Sequence, residues 1–275
     1  MIGIHRQSYY KSKKRVKDKK DLAAKVVELV NGIRILLPRL GTRKLYHMLE
    51  DSLRKLKVGR DKLFAILKAN HLLINPKRQY HVTTNSHHRF KKHKNQIEFL
   101  EINRPEQVWV SDITYLGKRD NPMYLSLVTD AYSKKIMGFD VSNSLNAQGA
   151  INALNMAIKN RKYNNTHPLI HHSDRGLQYC SDNYQAILEA NAIQCSMTEK
   201  YDPYQNAIAE RINGILKQEF IANLVIDKIE LMTNFITNSI NIYNTIRPHF
   251  SNFYLTPSAM HLQNNITMRS YKKIK

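Results

Sequence analysis

At 275 residues and 42% hydrophobic side chains, the chain is long enough for one or two domains with proper cores. No apolar run approaches the roughly 18 residues of a membrane span and no signal peptide is apparent, so a membrane partner is not expected. Two cysteines, Cys180 and Cys195, make neither a disulfide framework nor a CxxC zinc site and fit a reducing cytoplasm.

The net charge of +21 is unevenly distributed. Residues 1–104 hold 26 Lys and Arg against 8 Asp and Glu, whereas residues 105–275 hold 17 against 14. That density at one end favours a polyanion through counterion release. Interleaved aromatics and helical patterning point to nucleic acid rather than a solvated tail.

Residues 1–20 carry eight basic side chains and one acidic one and are expected to lack order unless bound. A helical pattern begins at Leu22 and runs through Val26, Leu29, Val30 and Ile33, punctuated by Pro38 and Gly41. GTRKLYHMLEDSLRKL predicts a second helix, with Leu45, Met48, Leu49, Leu53 and Leu56 on one stripe. VGRDKLFAILKANHLLI predicts a third, with Leu63, Ile66 and Leu67 inward. Helices joined by short turns, with Arg43, Lys44, Arg60 and Lys62 on their outer faces, fit a helix-turn-helix-like DNA-binding region over 1–74, or an ordinary small bundle. Residues 75–104 form a basic linker, in which His87, His88 and His93 have no cysteine partners for zinc.

After Pro105 the texture changes. VWVSDITYL, MYLSLVTDAYS and KKIMGFDVS read as three strands in quick succession, antiparallel neighbours separated by turn signals. A helix over 147–160, a strand at PLIHHSD, a helix over 182–190, a short strand at AIQCSM and a helix over 204–220 follow. This order is an α/β plan with a mixed sheet.

Three acids stand where chemistry would want them. Asp112 interrupts the first strand, on the face of Val110 and Thr114 rather than that of Trp109, Ser111, Ile113 and Tyr115. Asp174 ends its strand, where open α/β sheets place functional groups. Glu210 shares a helix face with Asn206, Asn213 and Lys217, away from the apolar stripe. Each alone has a bland explanation: a strand-edge Asp, a turn Asp, a solvated Glu. Together they form an all-oxygen set suited to Mg²⁺ or Mn²⁺, two of which support phosphodiester chemistry. Among lesser candidates, Lys217 is placed to touch a phosphate backbone, and Arg175 and Gln178 to shape the loop after Asp174. Asp130 reads as a turn cap. Alternation sends His171 and His172 to opposite faces of their strand, so one is expected to line the site or contact phosphate while the other packs.

VWVSDITYL, IHHSDRGLQYCS and YQNAIAERINGILKQEF, with 35 residues between Asp174 and Glu210, together resemble the DDE integrase core. The likeness is to OrfB products of IS-three-family (IS-one-fifty-like) insertion-sequence transposases and extends over nearly the whole chain. GTRKLYHMLE and VGRDKLFAILKANHLL resemble that family's N-terminal helical segment, and YNTIRPHFSNFYLTPSAM its C-terminal signature. Gln205 stands where members often have Asp, and Asn252 where they often have Leu. The resemblance implies an RNase H-like catalytic core over 105–262, with a mixed five-stranded sheet, flanking helices and a basic tail over 263–275. It implies Asp112, Asp174 and Glu210 as catalytic residues and ligands of two Mg²⁺ or Mn²⁺ ions. It further implies a nucleoid-associated bacterial protein that cuts element ends and joins the 3′ hydroxyl to target DNA, acting as a homo-multimer. An upstream-frame product of the same element is a further expected partner. The alternative keeps the fold but makes the chain an incomplete OrfB fragment, a DNA-binding partner or regulator of a frameshifted transposase.

Overall fold

The computed structural model describes residues 6–75, 93–117, 121–163, 168–199, 206–222 and 224–262. The chain divides into two compact units, Met1–Pro76 and Lys77–Lys275. Most of the basic linker, Gln205 and the basic tail over 263–275 lie outside the described residues.

The first unit is all helical. Helix α1 spans Arg6–Arg34, so the basic segment expected to lack order is helical from Arg6 onward. No Gly or Pro interrupts residues 6–31, and Lys, Arg and Gln are good helix formers that extend the turn begun by the Leu22–Ile33 pattern. Only Val26 and Val30 of α1 are fully buried. The expected second helix divides into α2 (Thr42–Met48) and α3 (Glu50–Lys55), with Leu49 at the break. The apolar stripe survives that break because Leu45, Leu49 and Leu53 all stay in the core. Lys57, at φ 53°, turns the chain into α4 (Arg60–Ala69), which buries Leu63 and Leu67. The Arg34 guanidinium donates to the carbonyl of Leu72 at 2.8 Å and so ties the end of α1 to the residues after α4.

The second unit is built on a mixed five-stranded sheet in the order β3-β2-β1-β4-β5, the RNase H-like plan with flanking helices. Strands β1 (Val108–Gly117), β2 (Pro122–Asp130) and β3 (Ile136–Ser142) form an antiparallel meander. Strands β4 (Leu169–Ser173) and β5 (Ile193–Met197) continue parallel to β1. Helices α5 (Ala147–Lys159), α6 (Leu177–Cys180) and α7 (Asp182–Ala190) cover one face. There Trp109, Leu154, Tyr179, Tyr184 and Met197 share a core. The opposite face packs Val108, Val110 and Ile170 against Ala209 of α8 (Ala207–Ile215). Ile97, Leu100 and Ile102, from the end of the expected linker, complete that cluster.

Helix α5 approaches β3 closely at Gly138. A Cβ there would lie 2.0 Å from the carbonyl oxygen of Ala153, so glycine is required by contact. Of the expected helix over 204–220, residues 204 and 205 lie outside the described residues, and helix α8 runs from Ala207. It passes into a π-helical turn, Leu216–Ile221, that keeps Leu216 and Phe220 buried. Helices α9 (Ile229–Thr245) and α10 (Pro257–Leu262) complete the unit. No described helix is long and apolar enough to cross a membrane.

Candidate active site

The alternation of β1 decides which carboxylate enters the site. Trp109 and Ile113 point into the core on the α5 side, which leaves Val110, Asp112 and Thr114 facing α8. Asp112 lies mid-strand opposite Leu127, and its main-chain neighbour Ile113 donates an N–H to its Oδ1 at 2.9 Å. Asp174 follows the last residue of β4. Its Oδ1 accepts the backbone N–H of Gly176 at 3.0 Å, which closes a tight turn. A Cβ on Gly176 would sit 3.1 Å from that same oxygen, so the turn leaves little spare room around Asp174.

Helix α8 supplies the third wall. Asn206 donates to the carbonyl of Ser111 at 3.1 Å and pins the start of the helix to β1. One turn past the exposed Glu210, the Asn213 amide donates to Asp112 Oδ2 at 2.8 Å. Another turn on, the Lys217 ammonium donates to Thr114 Oγ1 at 3.2 Å. The helix face picked out by Asn206, Glu210, Asn213 and Lys217 is therefore turned onto β1. Lys217, singled out for phosphate, is half-buried against Thr114, and burial lowers its pKa while the charge of Asp112 raises it.

Electrostatics bind the three acids into one group. Although part of Asp112 reaches the surface, packed protein strips most of its water, and Asp174 and Glu210 add negative charge. Desolvation first, then repulsion from Asp174, raises its pKa from 3.8 to about 7, against the opposing bond from Asn213. Glu210, although exposed as a residue, is also raised, by partial desolvation of its carboxyl and then by Asp174. Among the described residues, no three His, Cys, Asp or Glu side chains converge tightly enough to enclose an ion as they stand. The donor set is all oxygen and its charge uncompensated enough to hold a carboxyl proton near neutrality, so it fits a hard divalent cation in chemistry.

The histidines of LIHHSD are excluded from this site. Both are wholly buried. His171 Nε2 lies 2.7 Å from Ser111 Oγ and 2.9 Å from the Tyr184 hydroxyl, and His172 Nδ1 lies 2.9 Å from Ser196 Oγ. Burial, followed by the neighbouring His172, pushes His171 down to about 3, so it is a neutral hydrogen-bonding core residue. The expectation that one of them lines the site or touches phosphate is corrected. Hydroxyl partners on β1 and α7 hold His171 through Nε2, and one on β5 holds His172, inside the core, while His171 Nδ1 is buried with no hydrogen-bond partner among the described residues.

Gln178 donates to the carbonyl of Leu145 at 2.7 Å and anchors the loop after Asp174, whereas Arg175 is only part-exposed beside it. Asp130 caps its turn, accepting from the Ser133 N–H and hydroxyl at 2.7 and 2.6 Å. In the first unit Arg43, Arg60 and Lys62 are exposed and Lys44 is half-buried. Arg60 pairs with its neighbour Asp61 at 3.0 Å. Missed in the sequence were the roles of Thr114, Gly176 and Asn213. Asn213 left a signal there in its position one turn from Glu210 on the same face, and Thr114 in sharing the face of Asp112, whereas Gly176 left none.

The integrase core domain family matches residues 102–203 and again 191–257. The chain is 30% identical over 268 residues to the insertion element IS600 uncharacterized 31 kDa protein of Shigella sonnei, covering 94% of this chain and 95% of that one. It is 37% identical over 161 residues to transposase InsF for insertion sequence IS3fB of Escherichia coli K12, and that match spans 58% of this chain and 55% of the transposase. Among solved structures, it is similar to the HTLV-2 integrase catalytic core domain in complex with magnesium. That likeness has 20% identity and a TM-score of 0.45, over 57% of this chain and 97% of that one. The near-complete match to an insertion-element protein, with the integrase core shared along the second unit, places this chain in the IS3 family of insertion-sequence transposases, polynucleotidyl transferases built on an integrase catalytic core.

Proposed function

We propose that Asp112, Asp174 and Glu210 are the catalytic carboxylates of a DNA-cutting and strand-joining reaction and together hold two Mg²⁺ or Mn²⁺ ions. The observation that carries this reading is Asp112. It is a mid-strand carboxylate turned away from the apolar core, oriented by Asn213, and pushed to about 7 beside two further acids. Divalent ions held there would polarise a phosphodiester and stabilise the charge that develops on its oxygens.

The chain's own residues orient and confine the reaction. Water attacks phosphorus at the element end, and the bond from phosphorus to the element's 3′ oxygen breaks. The element keeps a 3′ hydroxyl, the flanking strand keeps the 5′ phosphate, and the proton leaves to solvent. In the second step that hydroxyl attacks a target phosphodiester and a target 3′ hydroxyl departs, so the number of ester bonds is conserved. Asn213 fixes Asp112, the Gly176 N–H fixes Asp174, and Lys217 brings positive charge beside Thr114. The partners are DNA, further copies of this chain assembled on paired ends, and an upstream-frame product of the same element. The first unit contacts DNA, with Arg43, Lys44, Arg60 and Lys62 as candidate contacts, and the loop residue Arg175 is a candidate contact in the second unit.

Replacing Asp174 by Asn should abolish 3′-end cleavage and strand transfer on a labelled element-end duplex in Mg²⁺, with DNA affinity retained. Cleavage at the parental rate by that variant would overturn the assignment.

A further inference from the structure

Among the described residues, nothing buries the N-terminal half of α1. Every residue from Arg6 to Lys20 is exposed, while burial begins only beyond it, at Val26 and Val30. Those 15 residues form a rod about 22 Å long at 1.5 Å per residue. They carry eight basic side chains and one acid, Asp18. Lys11–Arg15, Lys13–Lys17 and Arg15–Lys19 are like charges four residues apart, each pair destabilising an isolated helix. No apolar stripe compensates through packing, so the rod lacks the usual source of helix stability.

The distribution around the axis identifies the missing partner. At 3.6 residues per turn the basic positions fall on nearly every side of the rod, sparing one narrow strip of Tyr9, Ser12 and Val16. A coiled-coil partner would want an apolar seam, which is absent. A flat anionic surface, such as a lipid headgroup layer, would use only one side. The major groove of duplex DNA is about 12 Å wide, admits a helix and presents phosphates on both walls. We propose that the Arg6–Lys20 stem of α1 seats in the major groove of duplex DNA, its lysines and arginines on the phosphates of both walls and the Tyr9–Ser12–Val16 strip toward the base edges. This rests on the reading that the chain acts on DNA, and deepens it by assigning groove contact to a segment other than α2, α3 or α4. Tyr9 and Tyr10 remain 55% and 56% exposed, available to that groove.

The test uses the full chain and a variant carrying Lys13→Gln, Lys14→Gln, Lys17→Gln and Lys20→Gln. Glutamine keeps helix propensity, and none of these side chains packs in the fold. Affinity for a short DNA duplex is measured by fluorescence anisotropy across a salt series without divalent metal. Each lost phosphate contact lowers the log–log salt slope by about 0.9, so the variant's slope should fall by about 3 to 4. On duplex RNA of equal length, whose major groove is too deep and narrow for side-chain reading, parent and variant should differ far less. An unchanged slope on DNA overturns the proposal. So does an equal loss on duplex RNA or on phosphatidylserine vesicles, which would mean unshaped charge attraction. If the parent binds DNA and the variant's slope is unchanged, only this inference fails. If the parent shows no DNA affinity at all, the transposase reading fails with it.

Discussion

Asp112 and Asn213 set the behaviour of the site at the level of single side chains. The folded pKa of Asp112, about 7, lies above its ordinary 3.8, so the folded protein holds this proton more tightly than the unfolded chain does. Its stabilising contribution is complete below about pH 4 and is lost as pH rises through 7. Melting of the metal-free protein should therefore show a falling component over that window. Mg²⁺ should restore it above neutrality, and Asp112→Asn should lack it. An Asp112→Asn protein with the parental pH profile would refute the coupling. Asn213→Ala removes the 2.8 Å donor to Asp112 and leaves the carboxylate free to rotate. Loss of such an orienting partner typically lowers activity about 10- to 100-fold, while one lost hydrogen bond costs about 1 to 3 kcal/mol. Single-turnover strand transfer should fall accordingly in a variant whose denaturation still shows a cooperative fold. Parental rates would make Asn213 a packing residue only.

At the scale of elements, the site depends on the sheet being held between two helical layers, and α5 lies closely on β3 at Gly138. Gly138→Ala would drive a methyl to 2.0 Å from the Ala153 carbonyl oxygen and 2.7 Å from the Ala157 nitrogen, both backbone atoms within a helix. Neither can rotate away, so α5 must lift. The cost should be on the order of 3 kcal/mol or more, at the upper end for overpacking. A melting temperature within a degree or two of the parent would show that the helix yields more easily than its packing implies. Most elements were legible because strands of the meander alternate and helices repeat their apolar residues at three and four. The breaks were not. Leu49 interrupts α2 and α3 without disturbing the Leu45–Leu49–Leu53 stripe, so periodicity runs straight through it. The stem of α1 has no stripe for periodicity to detect, and its charge alone suggested disorder.

Across the whole molecule, the acids of the site were visible because a carboxylate inside an apolar strand is conspicuous. A second buried polar cluster was hidden because its members are far apart in sequence. Glu106 accepts the backbone N–H groups of Lys162 and Tyr163 at 2.7 and 2.9 Å and lies 3.5 Å from the Arg161 guanidinium. From α10, near the end of the described chain, His261 Nε2 reaches Glu106 at 3.2 Å, while its Nδ1 lies 3.0 Å from Ser133 Oγ. Asp130 stands 3.7 Å from that same nitrogen. Glu106, Asp130, Ser133 and His261 are all essentially without solvent contact, so α10 is clamped to the start of β1 and the β2–β3 turn by buried polar groups. Burial lowers the His261 pKa, but Asp130 and Glu106 outweigh it and the net shift is upward, with Lys135 opposing weakly. The clamp is therefore strongest while His261 is protonated. Its contribution is complete below the ordinary histidine pKa and is lost as pH rises through the folded value. Removing one partner of a buried charged pair is strongly destabilising because the other is left unpaired. His261→Ala should lower the melting temperature more at pH 6 than at pH 9, with the difference closing as the parent's own imidazolium deprotonates. An equal loss at both pH values would mean that α10 is held by Met260 and Pro257 packing alone, with His261 neutral throughout.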